Sequence, residues 1–236
     1  MNRRTKAVWR RRLDAGLTAL MVAVTGLALW ALGRQPSTDP PEDALPTGPI
    51  LVEGLLQKGR EDSKAAVILF SDFQCPYCAT FAAVEMQTLL RDVADSGLAL
   101  VQFANFPLET IHPLANASAQ ALECARHEQF GWEIHDRLFE LSASKRLRTR
   151  DDVDLAIASA LTDTSRLRVK ECVGAGGEAS RVAAQTKLGW TFGVSSTPTF
   201  VIGQRKGSAF FPQKRIRGGT NAAVIAKEIV HIVGRR

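Results

Sequence analysis

The sequence predicts an α/β fold split by an all-helical insertion and preceded by an N-terminal transmembrane helix. Three observations predict the folded part. An apolar β-type run, Ala65-Ala66-Val67-Ile68-Leu69-Phe70, leads into a helix opening at Pro76 and then into a second β-like run over residues 98–103. Between Pro113 and Phe192 the apolar periods are helical only. Strand-like segments then return at residues 199–203 and 215–218, before a closing helix over 220–233. Strand, helix, strand in sequence implies a parallel pair joined by a crossover.

The N-terminal elements come first in the chain. The formal charge is +6 over 236 residues. Residues 1–14 form a basic arm with six cationic side chains and one acid, and they account for +5 of that charge. The remainder is nearly neutral, which excludes nucleic acid as a partner. Residues 15–33 (AGLTALMVAVTGLALWALG) carry no charge over 19 positions, a helix of about 28 Å, close to a bilayer core. With the arginines preceding it, this segment reads as a single-pass anchor in the cell membrane, its N-terminus cytoplasmic and the rest extracytoplasmic. The alternative is a signal segment cleaved near Gly33, leaving a secreted or periplasmic protein. Residues 34–49 hold five of the ten prolines and read as a semi-stiff linker.

A first strand is expected at Ile50-Leu51-Val52, and the strand of residues 67–71 feeds Cys75-Pro76-Tyr77-Cys78. Pro76 suits the first helical position, so Cys75 falls at the N-cap. There the unpaired amides and the helix dipole favour thiolate over thiol. Cys78, one turn on, keeps an ordinary thiol able to attack a mixed disulfide formed by Cys75. A zinc site is the rival reading, but no second Cys-x-x-Cys or His-x-x-x-His supplies further ligands. A purely structural disulfide in so small a loop would stabilise little. Redox chemistry is the favoured reading, with no metal and no cofactor.

The helix from Pro76 is expected to stop at Ser96-Gly97, since Gly provides a left-handed terminator. In the helical block His112-Pro113 opens the first helix, and Phe130, Ile134, Leu138 and Leu141 form an apolar stripe on the second. Thr149 with Asp152 resembles a capping box, with Asp in place of Glu. Further helices are expected at 164–173 and 178–192, and Thr220 is the expected cap of the last. The order β-β-α-β, helical block, β-β-α is a thioredoxin fold interrupted by a helical domain: residues 50–109 and 193–236 around an insertion at 110–192. Cys124 and Cys172 both sit in insertion helices. They either bond to each other or remain inert buried thiols, and the disulfide is favoured, at about 4 kcal/mol in the chain-entropy picture.

Phe70-Ser-Asp-Phe-Gln-Cys75-Pro-Tyr-Cys78, Asn105-Phe-Pro-Leu108 with His112-Pro113, Ala-Leu-Glu-Cys124-Ala, Trp132-Glu-Ile-His-Asp136 and Val194-Ser-Ser-Thr197-Pro198-Thr-Phe appear in this order. Together they resemble the DsbA-like thiol:disulfide oxidoreductases, in their membrane-anchored or secreted bacterial branch, from about Gly59 onward. The resemblance implies Cys75 as exposed nucleophile, Cys78 as resolving cysteine, Pro198 in cis, and an extra disulfide suited to Cys124 and Cys172. The backbone of Thr197 would pair with an extended substrate segment. It also implies polypeptide thiol or disulfide substrates and a membrane redox partner, most simply in the disulfide-forming direction, with isomerase or reductase work as the alternative. A tethered binding or chaperone module is the reading from another class.

Two departures stand out. Thioredoxins keep a buried acid six positions before the first cysteine, where this chain has Leu69, so proton transfer needs water or another group such as Asp72. For Asp72 itself the reading preferred is a strand-end residue satisfying local amides. Strong oxidants in the family often carry His between the cysteines, where this chain has Pro76-Tyr77. His127, His135 and His231 read as surface or capping residues, Trp132, Trp190 and Phe192 as core, and Lys214, Arg215 and Arg217 as a solvated face.

Overall fold

Residues Ala65–Ser71 are buried along their whole length, and the five from Ala66 to Phe70 are paired on both sides. This is β3, the central strand of a six-stranded sheet that also contains β1 (Ile50–Leu51), β2 (Leu56–Lys58), β4 (Leu100–Asn105), β5 (Thr199–Lys206) and β6 (Ala209–Arg217). The order is β1-β6-β5-β3-β4-β2. β3 and β4 run parallel, and the other neighbours are antiparallel. The computed structural model describes residues 21, 23–27 and 44–234. The arm at 1–14 lies outside the described residues, as do most of the anchor at 15–33 and of the linker at 34–49. Met21 and residues 23–27 are helical, and among the described residues no helix is long and apolar enough to cross a membrane.

Why β3 is apolar from Ala65 to Phe70 follows from its place in the sheet. Alternate side chains of a strand point to opposite faces, and here both faces are covered. Val67 and Leu69 pack with Val101, Phe103, Phe200 and Ile202 on one side. Ala66, Ile68 and Phe70 pack with Leu100, Ala104, Val201 and Phe210 on the other. A fully buried side chain of this kind contributes about 1.5–3 kcal/mol, and Phe70→Ala would remove such a contribution at the centre.

Between β3 and β4 the chain does not make the single helix expected to Ser96. α1 (Pro76–Val84) ends at Glu85, where φ widens to −109°. α2 (Met86–Leu89) then passes into a π-helical turn at Leu90–Asp95. The Glu85 carboxylate is turned instead to the N–H of Ala222, at 2.9 Å. The left-handed Gly97, φ +75°, ends the segment as expected.

Five helices, α3 (Ala115–His127), α4 (Gly131–Ala143), α5 (Arg150–Ala160), α6 (Asp163–Gly174) and α7 (Ala179–Thr191), intervene between β4 and β5. Asp152 accepts from the N–H of Thr149 at 2.7 Å and from its hydroxyl at 3.0 Å, within the capping box that the sequence suggested for α5. α7 lies so close to the sheet that a Cβ on Gly189 would meet the Phe106 ring at 2.6 Å. α8 (Ala222–Gly234) closes the fold, and its cap is Asn221 rather than Thr220: Asn221 Oδ1 accepts from the N–H of Val224 at 2.9 Å.

Two strands differ from expectation. β2 is three residues long, too short for a periodic signal. β6 runs from Ala209, not Arg215, and joins β5 through a tight turn at Gly207 and Ser208, with Gly207 left-handed. Pro212 within it would argue against a strand, but it lies opposite Gly203 beside the register irregularity at Ile202 and Gly203, where a residue without an N–H is tolerated. At the opposite end of the sheet the Trp132 indole N–H donates to the carbonyl of Gln57 in β2, at 3.1 Å.

Candidate active site

The C-terminal ends of β3 and β4 converge on the turn that carries Cys75. Asp72 terminates β3, its carboxylate wholly buried. Oδ1 accepts from the N–H of Gln74 at 2.7 Å, closing an Asx turn. Oδ2 accepts from the N–H of Leu108 at 2.8 Å and faces His112 Nδ1 at 2.9 Å. The Asp72 carbonyl takes the N–H of Cys75 at 3.1 Å. Gln74 ties the same turn to the helical insertion, its amide donating to the Leu147 carbonyl at 3.3 Å and accepting from the N–H of Leu114. Cys75 is therefore presented by a turn fixed on two sides.

Cys75 is the N-cap of α1, with Pro76 at the first helical position. Both cysteines of the pair are free thiols. The Cys75 thiol is pulled down to about 5, first by hydrogen bonding from the Cys78 thiol, then by Thr197 and the backbone amides of Cys78 and Tyr77, against the opposing effect of burial. The helix-terminal amides named by the sequence reading thus contribute, but the neighbouring thiol is the larger cause. Burial in turn holds the Cys78 thiol well above the usual range, and the negative charge on Cys75 adds to this. A low and a high thiol side by side is the division of labour that a nucleophile and a resolving group require.

Above the pair lies the loop Ser196–Thr199, in which the Thr197–Pro198 peptide is cis. The Cys75 thiol sits 3.3 Å from the carbonyl of Thr197, which accepts from it when protonated. The Thr197 hydroxyl is buried without a hydrogen-bond partner, and the Thr197 side chain is among the groups that lower the Cys75 thiol. This loop is also the reason for one correction. The resemblance implied an exposed nucleophile, yet Cys75 is only 4% exposed, because Thr197 lies over it. Tyr77 by contrast is 70% exposed. It borders a cleft of about 180 Å³ lined by Thr80, Phe81, Val84 and Pro198. Thr197 itself is buried.

The remote pair Cys124 and Cys172 is joined by a disulfide across 48 residues, linking α3 to α6. Among the described residues no group of His, Cys, Asp or Glu is arranged to hold a metal ion.

A profile of the thioredoxin family matches residues 53–217. The chain belongs to the thioredoxin family. Its fold within that family is the DsbA-like one. Oxidised BdbD from Bacillus subtilis superposes with a TM-score of 0.67 at 21% identity, covering 81% of this chain and 99% of that one. α-DsbA1 from Wolbachia pipientis gives 0.63 at 16% identity, covering 81% and 94%. Among curated proteins, the sodium/proton antiporter NhaA 3 of Salinispora tropica is 30% identical over 153 residues, 63% of this chain. A probable disulfide bond formation protein D of Bacillus anthracis is 28% identical over 83 residues, 35% of this chain and 38% of that protein. The chain spans only 22% of the length of that antiporter and 32% of a second, from Salinispora arenicola.

For this thioredoxin-family chain the structure also revises several readings of single residues. Asp72 does satisfy local amides, but it also binds His112, a partner 40 residues away that the helix-start reading of His112 missed. His135 is not a surface residue: it is fully buried among Phe73, Phe103, Trp132 and Phe139, with Nδ1 on Asp136 at 2.8 Å. Its i+4 neighbour Phe139 was the available signal. Phe192 is core, whereas Trp190 is 65% exposed, because α7 turns Gly189 to the sheet and Trp190 outward. Lys214 and Arg217 are exposed, but Arg215 is half-buried and donates to the Phe192 carbonyl.

Proposed function

We propose that the chain is an extracytoplasmic thiol:disulfide oxidoreductase acting on polypeptides through Cys75 and Cys78, in the disulfide-forming direction. The observation that carries this reading is the pair of opposed thiols, Cys75 drawn down to about 5 beside a Cys78 held high. In the oxidised enzyme a substrate thiolate attacks the Cys75 sulfur, the Cys75–Cys78 bond breaks, and Cys78 leaves and takes a proton. A second substrate thiolate attacks the substrate sulfur of the mixed disulfide, and Cys75 leaves as thiolate. Two substrate thiols become one disulfide, and the enzyme gains two electrons. A stable Cys75 thiolate is a good leaving group and favours the reduced enzyme, which makes the pair oxidising.

Cys75 is the nucleophile in this reading and Cys78 the resolving cysteine. Pro76 sets the helix start, and Tyr77 with Pro198 flanks the cleft that an extended segment would follow. Thr197 donates its hydroxyl to the thiolate, and the Cys124–Cys172 disulfide staples the insertion. Residues 15–33 act as the membrane anchor, with 1–14 on the cytoplasmic side and 34–49 as linker. The two halves, 50–109 and 193–236, carry the site, and 110–192 covers it. A membrane redox partner accepts the two electrons.

The test is oxidative refolding of a reduced, unfolded substrate, with the redox equilibrium of the pair measured against glutathione. Wild type is expected to form disulfides and Cys75→Ser to form none. Unchanged activity in Cys75→Ser removes the enzyme reading and leaves a tethered binding module. A potential as low as that of thioredoxin reverses the direction to reductase or isomerase.

A further inference from the structure

The buried acid that thioredoxins place beneath their second cysteine is Leu69 in this chain, and its partner across the parallel ladder is the equally apolar Phe103. Two residues further along the same strands, Ser71 stands opposite Asn105. Strand side chains alternate, and Leu69 and Phe103 share a cluster with Cys75 and Cys78. Ser71 and Asn105 therefore lie on the cysteine face, 2% and 1% exposed.

The orientation of Asn105 is fixed from behind. Its side-chain N–H groups donate to Glu123 Oε1 at 3.0 Å and to Gln185 Oε1 at 2.9 Å. Glu123, wholly buried, is held in turn by Gln185 Nε2 at 2.8 Å and by Arg126 Nε at 2.9 Å. With both amide protons engaged, the end left over is Oδ1, and it is buried without a hydrogen-bond partner. An orphaned buried carbonyl is unfavourable, having given up water without gaining a donor. The nearest rung holds a hydroxyl, Ser71, and hydrogen bonding from it opposes the rise of the Cys78 thiol. One hydroxyl proton cannot serve both acceptors at once.

We propose that Ser71 and Asn105 are positioning residues for Cys78: the Ser71 hydroxyl donates to the Cys78 sulfur in the dithiol and turns to Asn105 Oδ1 once the disulfide has formed. Disulfide formation relieves the orphan, so Asn105 weights the pair toward its oxidised state and moderates its oxidising strength. Ser71 keeps its proton throughout. Two electrons pass to the oxidant, a disulfide such as oxidised glutathione, which becomes two thiols by taking up the Cys78 proton and one from solvent. This inference rests on the exchange reading above.

The experiment is a double-mutant cycle on the equilibrium with glutathione. Asn105→Ala is expected to move that equilibrium toward reduced enzyme by about five- to tenfold, equivalent to roughly 20–30 mV, because it removes the orphan carried only by the dithiol. In a Ser71→Ala background, where no hydroxyl is left to change acceptors, Asn105→Ala is expected to move the equilibrium no further, whereas Ser71→Thr keeps the hydroxyl and stays near wild type. Because Asn105→Ala also strips a donor from Glu123 and can fail to fold, the side-chain amide resonance of Asn105 gives a second readout. It is expected to shift between redox states in wild type and to stand still in Ser71→Ala. Additive effects, an unchanged Asn105→Ala equilibrium or an invariant Asn105 resonance in wild type overturns the inference while leaving the exchange reading intact. A wild type that exchanges no disulfides removes both.

Discussion

His112 Nδ1 lies 2.9 Å from Asp72 Oδ2, and with two backbone N–H groups it completes the shell of a carboxylate that has no exposed surface. The pair joins the cysteine turn to the segment that follows β4. Removing the acid strands two amides and a ring nitrogen, so Asp72→Ala is expected to lower the unfolding free energy by about 3 kcal/mol. Removing only the ring, in His112→Leu, is expected to lower it by about 1.5 kcal/mol. Urea titration of the oxidised protein measures both. Equal, negligible losses would show that the turn is held by other contacts.

Alkylation of Cys75 reports its ionisation directly. The rate with iodoacetamide is expected to titrate with a midpoint near 5. Since the Cys78 thiol is the largest cause of the depression, Cys78→Ala is expected to raise the midpoint by about 1–3 pH units. A variant that still titrates like wild type would transfer the effect to the helix amides and Thr197.

Stability should depend on pH differently in the two redox states. Reduced Cys75 has a folded value near 5 against about 8.5 in an unfolded chain. A depressed value stabilises the fold above the unfolded value, and the contribution is lost as pH falls toward the folded one. The unfolding free energy of the reduced protein, relative to the oxidised, is therefore expected to fall by about 1.4 kcal/mol per pH unit between about 8 and 5. Cys78 is held high and stays protonated across that window, so it adds no slope there. Parallel stability curves for the two forms would contradict the low Cys75 value.

The α3–α6 disulfide closes a loop of 48 residues. The chain-entropy picture assigns such a closure about 4 kcal/mol. The Cys124→Ala, Cys172→Ala double variant is expected to lose that much in chemical denaturation while keeping the alkylation profile of Cys75, since the pair lies in the helical insertion and not at the cysteine turn.

Local chemistry was legible in the sequence, and pairing across distance was not. The strand of residues 65–71, Pro76 at a helix start, Gly97 as a stop and the Thr149–Asp152 cap each depend on neighbours within a few positions. β2 carries three residues and shows no period. β6 was hidden because Pro212 argues against a strand until the irregularity at Gly203 is known. The shell of Asp72 draws on residues 36 and 40 positions away, and Asn105 meets Gln185 across 80. No spacing rule reaches so far. The coverage of Cys75 by Thr197, 122 residues on, belongs to the same class: the sequence marks both residues but not which one shields the other.

One consequence of the indole seated on Gln57 concerns the company the protein keeps. A terminal ribbon with open backbone groups recruits foreign extended segments, and a protein proposed to work among unfolded clients would meet such segments continually. By occupying that outer carbonyl, Trp132 removes a foothold there and leaves clients to be engaged near the sulfurs, away from a flank where capture would end in tangles.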